Sequence, residues 1–134
     1  MRDAQAKNIR IVDEAAFKVG TDLAITPGRV VFRNRLVELL HYTPTTAKVH
    51  RTPIVIITPW INKFYVLDLT AEKSYIRWCV EQGHTVFVIS WVNPDESHAR
   101  ASFEHYMQAG VIESVRVALE ATGADGVDAV GYCV

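Results

Sequence analysis

Three short apolar runs constrain this chain more than any other feature. Ile54-Val55-Ile56-Ile57, Thr85-Val86-Phe87-Val88-Ile89-Ser90 and Val127-Asp128-Ala129-Val130 are too short for helices and rich in β-branched side chains, so each reads as a strand. The first is uniformly apolar, as expected of a strand covered on both faces. Helical signals fill the gaps. Thr70 predicts an N-cap for a helix running to Gln82, Gly83 suits the position after its end, and Ile76, Cys79 and Val80 share a face. A second helix is predicted within 103–122, with Val111, Val115, Ala118 and Leu119 as its apolar face and Gly123 onwards ending it. Strands alternating with helices across short connections predict a parallel sheet with helices on its faces. Right-handed crossovers then bring the strand C-termini to one edge, where open α/β sheets bind ligands. Pro59-Trp60-Ile61, Trp91-Val92-Asn93 and Tyr132-Cys133-Val134 are predicted to meet there.

The residues before this pattern read differently. Val30-Val31-Phe32 and Leu36-Val37-Glu38-Leu39-Leu40-His41-Tyr42, separated by Arg33-Asn34-Arg35, predict an antiparallel hairpin. Asp13 to Val19 is expected to make two helical turns, capped by Asp13 and ended by Gly20, and Pro27-Gly28 marks a turn.

Charge and cysteine content exclude several function classes. Fourteen basic and fifteen acidic side chains leave a net charge of −1, so no global field favours nucleic acid or an anionic membrane. Cys79 and Cys133 make no disulfide framework, which points to a reducing compartment. No run approaches the ~18 apolar residues of a membrane span, and Met1 to Asn8 lack the apolar centre of a signal peptide.

The last strand leads into Gly131-Tyr132-Cys133-Val134. A glycine two residues before a nucleophile, on a sharp turn after a strand, is the pattern of the nucleophile elbow written G-x-S-x-G. Here cysteine holds the nucleophile position. By itself the signal is weak, because a cysteine ending an apolar strand is commonly a small buried hydrophobe.

Further motifs give it a context. Thr58-Pro59-Trp60-Ile61-Asn62-Lys63-Phe64-Tyr65-Val66-Leu67-Asp68-Leu69, Glu81-Gln82-Gly83-His84-Thr85-Val86-Phe87 and Ser90-Trp91-Val92-Asn93-Pro94 resemble the polyhydroxyalkanoate synthases. Phe17-Lys18-Val19-Gly20 and Thr26-Pro27-Gly28-Arg29-Val30-Val31-Phe32 are similar to the same family, and Gly131-Tyr132-Cys133-Val134 matches the start of its G-x-C-x-G box. The resemblance runs from about residue 12 to the last residue, and its details look most like the single-component class I type acting on short-chain substrates.

That resemblance implies the first half of an α/β-hydrolase fold, over 30–134, preceded by the end of an N-terminal region over 1–29. It implies an acyltransferase that polymerises (R)-3-hydroxyacyl-CoA, such as 3-hydroxybutyryl-CoA, into polyester with release of coenzyme A. Cys133 would be the nucleophile of a Cys-Asp-His triad, Val134 would offer one oxyanion-hole N–H, and Ile61 is the candidate for the second. Asp68 matches a characteristic acid of the family, expected to be structural. No resident cofactor or metal is implied, since coenzyme A arrives with the substrate. The implied partners are that substrate, the growing polyester and a second subunit in a homodimer, in the cytoplasm at the granule surface. A thiol esterase or lipase-like hydrolase, and a non-catalytic segment associating with granules or synthase subunits, are the competing readings.

In this fold the acid and the base follow the nucleophile along the chain. The 134 residues are therefore expected to be inactive by themselves. With no strand beyond Val130, an aggregation-prone or partly molten chain is also expected. The plainer readings of the other residues stand beside these. His41, His50, His84, His98 and His105 show no ligand spacing, and all precede the elbow. Cys79 reads as core, Asn62-Lys63 as a solvated loop or a phosphate contact, and Trp60 and Trp91 as tunnel lining or packing of the sheet edge.

Overall fold

The computed structural model describes residue 13 and residues 15–133. Five strands form one mixed sheet in the order β1-β2-β4-β3-β5. β1 (Gly28–Arg33) and β2 (Val37–Tyr42) make the predicted antiparallel hairpin, with a register shift between Val30 and Phe32. β2 runs antiparallel to β4 (Val86–Trp91), while β4, β3 (Ile54–Ile57) and β5 (Asp128–Gly131) are parallel. The sheet's two halves thus match their sequence signals: the hairpin in β1 and β2, continuous apolar residues in β3 and β4.

Strand geometry sends alternate side chains of β3 and β4 to opposite faces, and each face has its own helix. Ile54, Ile56, Val86 and Val88 pack with Ile76, Cys79 and Val80 of α1 (Tyr75–Glu81). Val55, Phe87 and Ile89 pack on the other face with Ala118 of α3 (Glu113–Thr122), flanked by Val111 and Val115. The chain steps from β3 to β4 on one side and returns past β3 to β5 on the other. The strand order therefore reverses between β3 and β5, and their C-terminal ends form the crevice expected at such a switch point.

Two local expectations are corrected, and a third is refined. The helix predicted from Thr70 begins at Tyr75, and its cap is Ser74, whose hydroxyl accepts the Arg77 N–H at 2.9 Å. Ser74 also donates to Asp68 at 2.6 Å, which fixes the helix start there, while Thr70 caps only the Lys73 turn. Gly83, at φ +85°, does end α1 as expected. The predicted Asp13–Val19 helix is replaced, over its described residues, by a turn in which the Ala15 and Ala16 N–H groups donate to Asp13 Oδ1 and Asp13 O, followed by turns in which Lys18 O accepts from Thr21, Asp22 and Leu23. Phe17 is 64% exposed, and two helical turns without a packed face do not repay nucleation. The predicted second helix is composite: α2 (Phe103–His105), π-helical turns over Tyr106–Ile112, then α3. Gly123, at φ +65°, closes it.

Candidate functional site

The strand ends at the switch point carry the chemistry-bearing residues. Beyond β3, the Thr58 hydroxyl donates to Ile89 O at 2.6 Å, and the Trp91 indole N–H donates to Thr58 O at 2.7 Å. These two bonds tie the ends of β3 and β4 together where backbone pairing stops. Beyond β5, the Tyr132 N–H reaches Ile57 O at 3.2 Å, extending the ladder by one rung. The next residue, Cys133, turns to φ +56°. A side chain other than glycine is strained in that left-handed region, and such strain concentrates where a turn must project a functional group.

Cys133 borders a cleft of about 130 Å³ whose walls include Pro59, Trp60, Trp91, Phe103 and Met107. The wall is almost entirely apolar. Trp60 meets Trp91, Phe103 and Tyr106 at ring separations of 6.0, 5.9 and 5.2 Å, so the aromatic residues brace one another. The arrangement offers a thiol at the mouth of a slot suited to a short apolar chain. Trp60 and Trp91 thus line the cleft and also pack the sheet edge.

The structure gathers only part of the predicted site. Cys133 and the Pro59-Trp60 turn come together as expected. Ile61 follows that turn and is 89% exposed, and no carbonyl among the described residues accepts its N–H. Val134 lies outside the described residues. Among the described residues lining the cleft there is no histidine. His41 stacks on Phe87 at 4.7 Å, His50 lies 4.6 Å from His84, and His98 forms a capping box with Asp95 at the short helix Glu96–His98. His105 ends α2.

Asp68 is 1% exposed and accepts from the Thr26 and Ser74 hydroxyls, both at 2.6 Å. It joins the segment before β1 to the start of α1, which is a structural role. Burial, reinforced by the nearby Asp68, pushes the Tyr42 phenol well above its ordinary value. Cys79 is 1% exposed, and burial raises its thiol pKa, so it is a core residue. Lys63 Nζ donates to Asn93 Oδ1 at 2.7 Å, linking two strand-end loops.

Phe103 and Met107 were missed by sequence reasoning. Their signal was available: with Val111 they form a stripe at spacing four, on the same composite helix as the face that was recognised. Among the described residues, no group of three or more His, Cys, Asp or Glu is placed to hold a metal ion. No described helix is long and apolar enough to cross a membrane.

Residues 1–79 match the family model described as poly-beta-hydroxybutyrate polymerase (PhaC) N-terminus. The chain is 54% identical over 126 residues to a poly(3-hydroxyalkanoate) polymerase of Methylorubrum extorquens, covering 94% of this chain and 21% of that protein. It is 45% identical over its whole length to a poly(3-hydroxyalkanoate) polymerase subunit of Cupriavidus necator, covering 23% of that protein. The corresponding subunit of Haloarcula marismortui is 31% identical, again across the whole chain. The chain spans about a fifth of the length of the first two relatives.

Proposed function

The chain belongs to the poly-beta-hydroxybutyrate polymerase family, and from that premise we propose that Cys133 is the nucleophile of a polyester-forming acyltransferase. On this reading residues 30–134 are the first half of an α/β-hydrolase catalytic domain, and 1–29 close an N-terminal region. The observation that carries it is the left-handed turn at Cys133, after a parallel strand and beside an apolar cleft.

The chemistry balances with a thiol. The Cys133 sulfur attacks the thioester carbonyl of a 3-hydroxyacyl-CoA. A new C–S bond forms, the bond to coenzyme A breaks, and the thiol proton leaves with coenzyme A. Exchange of one thioester for another is close to thermoneutral, so the acyl group is held without loss of its activation. The hydroxyl of a second unit then attacks the acyl-cysteine, forming an ester and returning the proton to sulfur. The N–H groups of Ile61 and Val134 are the proposed donors to the oxyanion. Apolar walls favour the acyl chain and exclude the water that would divert it to hydrolysis. No cofactor takes part. The proposed setting is a homodimer at the granule surface in the cytoplasm.

A base has to accept the thiol proton, and in this fold the acid and histidine follow the nucleophile. The 134-residue chain by itself is therefore proposed to release no coenzyme A above background. Grafting the chain in place of the matching stretch of the Methylorubrum extorquens polymerase tests the whole reading. Polymer is expected from the chimera, and Cys133→Ala should lower its rate by at least about 10³-fold. An active Cys133→Ala chimera would refute the assignment, and free 3-hydroxybutyrate in place of polymer would indicate a hydrolase.

A further inference from the structure

Trp91 is held on several sides at the wall of the cleft. Its indole N–H is bonded to Thr58 O at 2.7 Å, and Tyr106 and Trp60 lie against it at 5.7 and 6.0 Å. On one side lies Gly110, buried within the π-helical turns. A Cβ at Gly110 would stand 2.5 Å from Trp91 Cζ3 and 2.6 Å from Cη2, distances no carbon pair tolerates. Glycine inside a helix costs about 1 kcal/mol relative to alanine, and π-turns are rare, though frequent at functional sites. Both unfavourable features occur where the helix backbone must approach the indole ring.

The ring is thus seated by a backbone hydrogen bond on one side and by the glycine of the helix on another. The cleft measures about 130 Å³. An apolar cavity of roughly 150 Å³ takes a benzene-sized guest, so this one has room for about four to six carbons. Resting on the acyl-thioester reading of this cleft, we propose that Trp91, braced by Gly110, is the specificity-determining wall that limits the length of acyl chain Cys133 accepts.

The test uses the chimera described above, with N-alkyl iodoacetamides from ethyl to octyl as probes. In each reaction the Cys133 sulfur displaces iodide and forms a thioether, read by mass spectrometry. Buried Cys79 reports in the same spectrum whether the core is closed. The rate at Cys133 is expected to fall at least about tenfold between the butyl and octyl probes, as long chains meet the wall. Trp91→Leu should remove that fall. Gly110→Ala, which pushes the ring from its seat, should move the fall to a different probe length.

A flat length dependence with Cys79 unlabelled would overturn the proposal, as would a fall left unmoved by both variants. Should a variant label Cys79 as fast as Cys133, its core has opened. The same variant's relative consumption of 3-hydroxybutyryl- and 3-hydroxyoctanoyl-CoA then decides. An unchanged ratio overturns the proposal. Failure of the acyltransferase reading looks different: length discrimination at Cys133 survives, but the chimera makes polymer without that thiol.

Discussion

β4 and β5 both lie parallel to β3 and are matched to it from Ile54 to Ile57. Val86, Phe87, Val88 and Ile89 of β4 are at most 1% exposed, with a helix over each face and β2 along the far edge. In β5, Asp128, Ala129 and Gly131 are exposed, and among the described residues only β3 pairs with it. The same backbone pairing therefore supports two different duties. β4 anchors the fold, while β5 leads into the turn that holds the proposed nucleophile, Cys133. Segregating the two lets the Cys133 turn hold a strained conformation without loading the core.

The largest expected break in that contrast is Phe87→Ala. Removing a fully buried aromatic should cost about 3–5 kcal/mol, whereas Val130→Ala on β5 should cost less than about 1.5. Urea unfolding midpoints of the two variants measure the difference. Equal losses would mean that β5 is as much a part of the cooperative core as β4.

The thiols sharpen the comparison. Burial raises the Cys79 pKa, while Cys133 is exposed at the end of β5. Iodoacetamide at pH 7.5 should label Cys133 about tenfold faster than Cys79 or more. Denaturant should abolish the gap.

The smallest effect is set by pH. Burial, with the Arg29 charge adding to it, holds the His41 imidazole below its ordinary pKa of about 6.5. The unfolded chain then takes up a proton at higher pH than the folded one. His41 therefore contributes stability above pH ~6.5 that is lost as pH falls through the lowered value. Unfolding midpoints should decline from pH 7.5 to 5, and His41→Gln should make the decline shallower. An unchanged slope would remove His41 as the cause.

Much of the fold was legible because each strand carried its own signal. Ile54–Ile57 is bounded as expected, and the neighbouring strands are shifted by one residue. The helix starts were less legible. Thr70 and Ser74 are both good caps, and the choice between them rests on the buried carboxylate of Asp68, which local sequence does not place. The π-turns were invisible for a related reason. Gly110 lowers helix propensity, and what makes it fit is an indole ring nineteen residues away in the chain.

The site divides in the same manner. The sequence by itself determined the strand–helix alternation, the family motifs and the identity of the candidate nucleophile, because periodicity, turn chemistry and short motifs are local. Tertiary structure alone decided that Phe103 and Met107 join Cys133 and Trp91 in one cleft, and that none of the described histidines does. Those relations depend on which strand crosses which, and on how closely a helix approaches a ring. Such distances are set by packing between segments far apart in the chain.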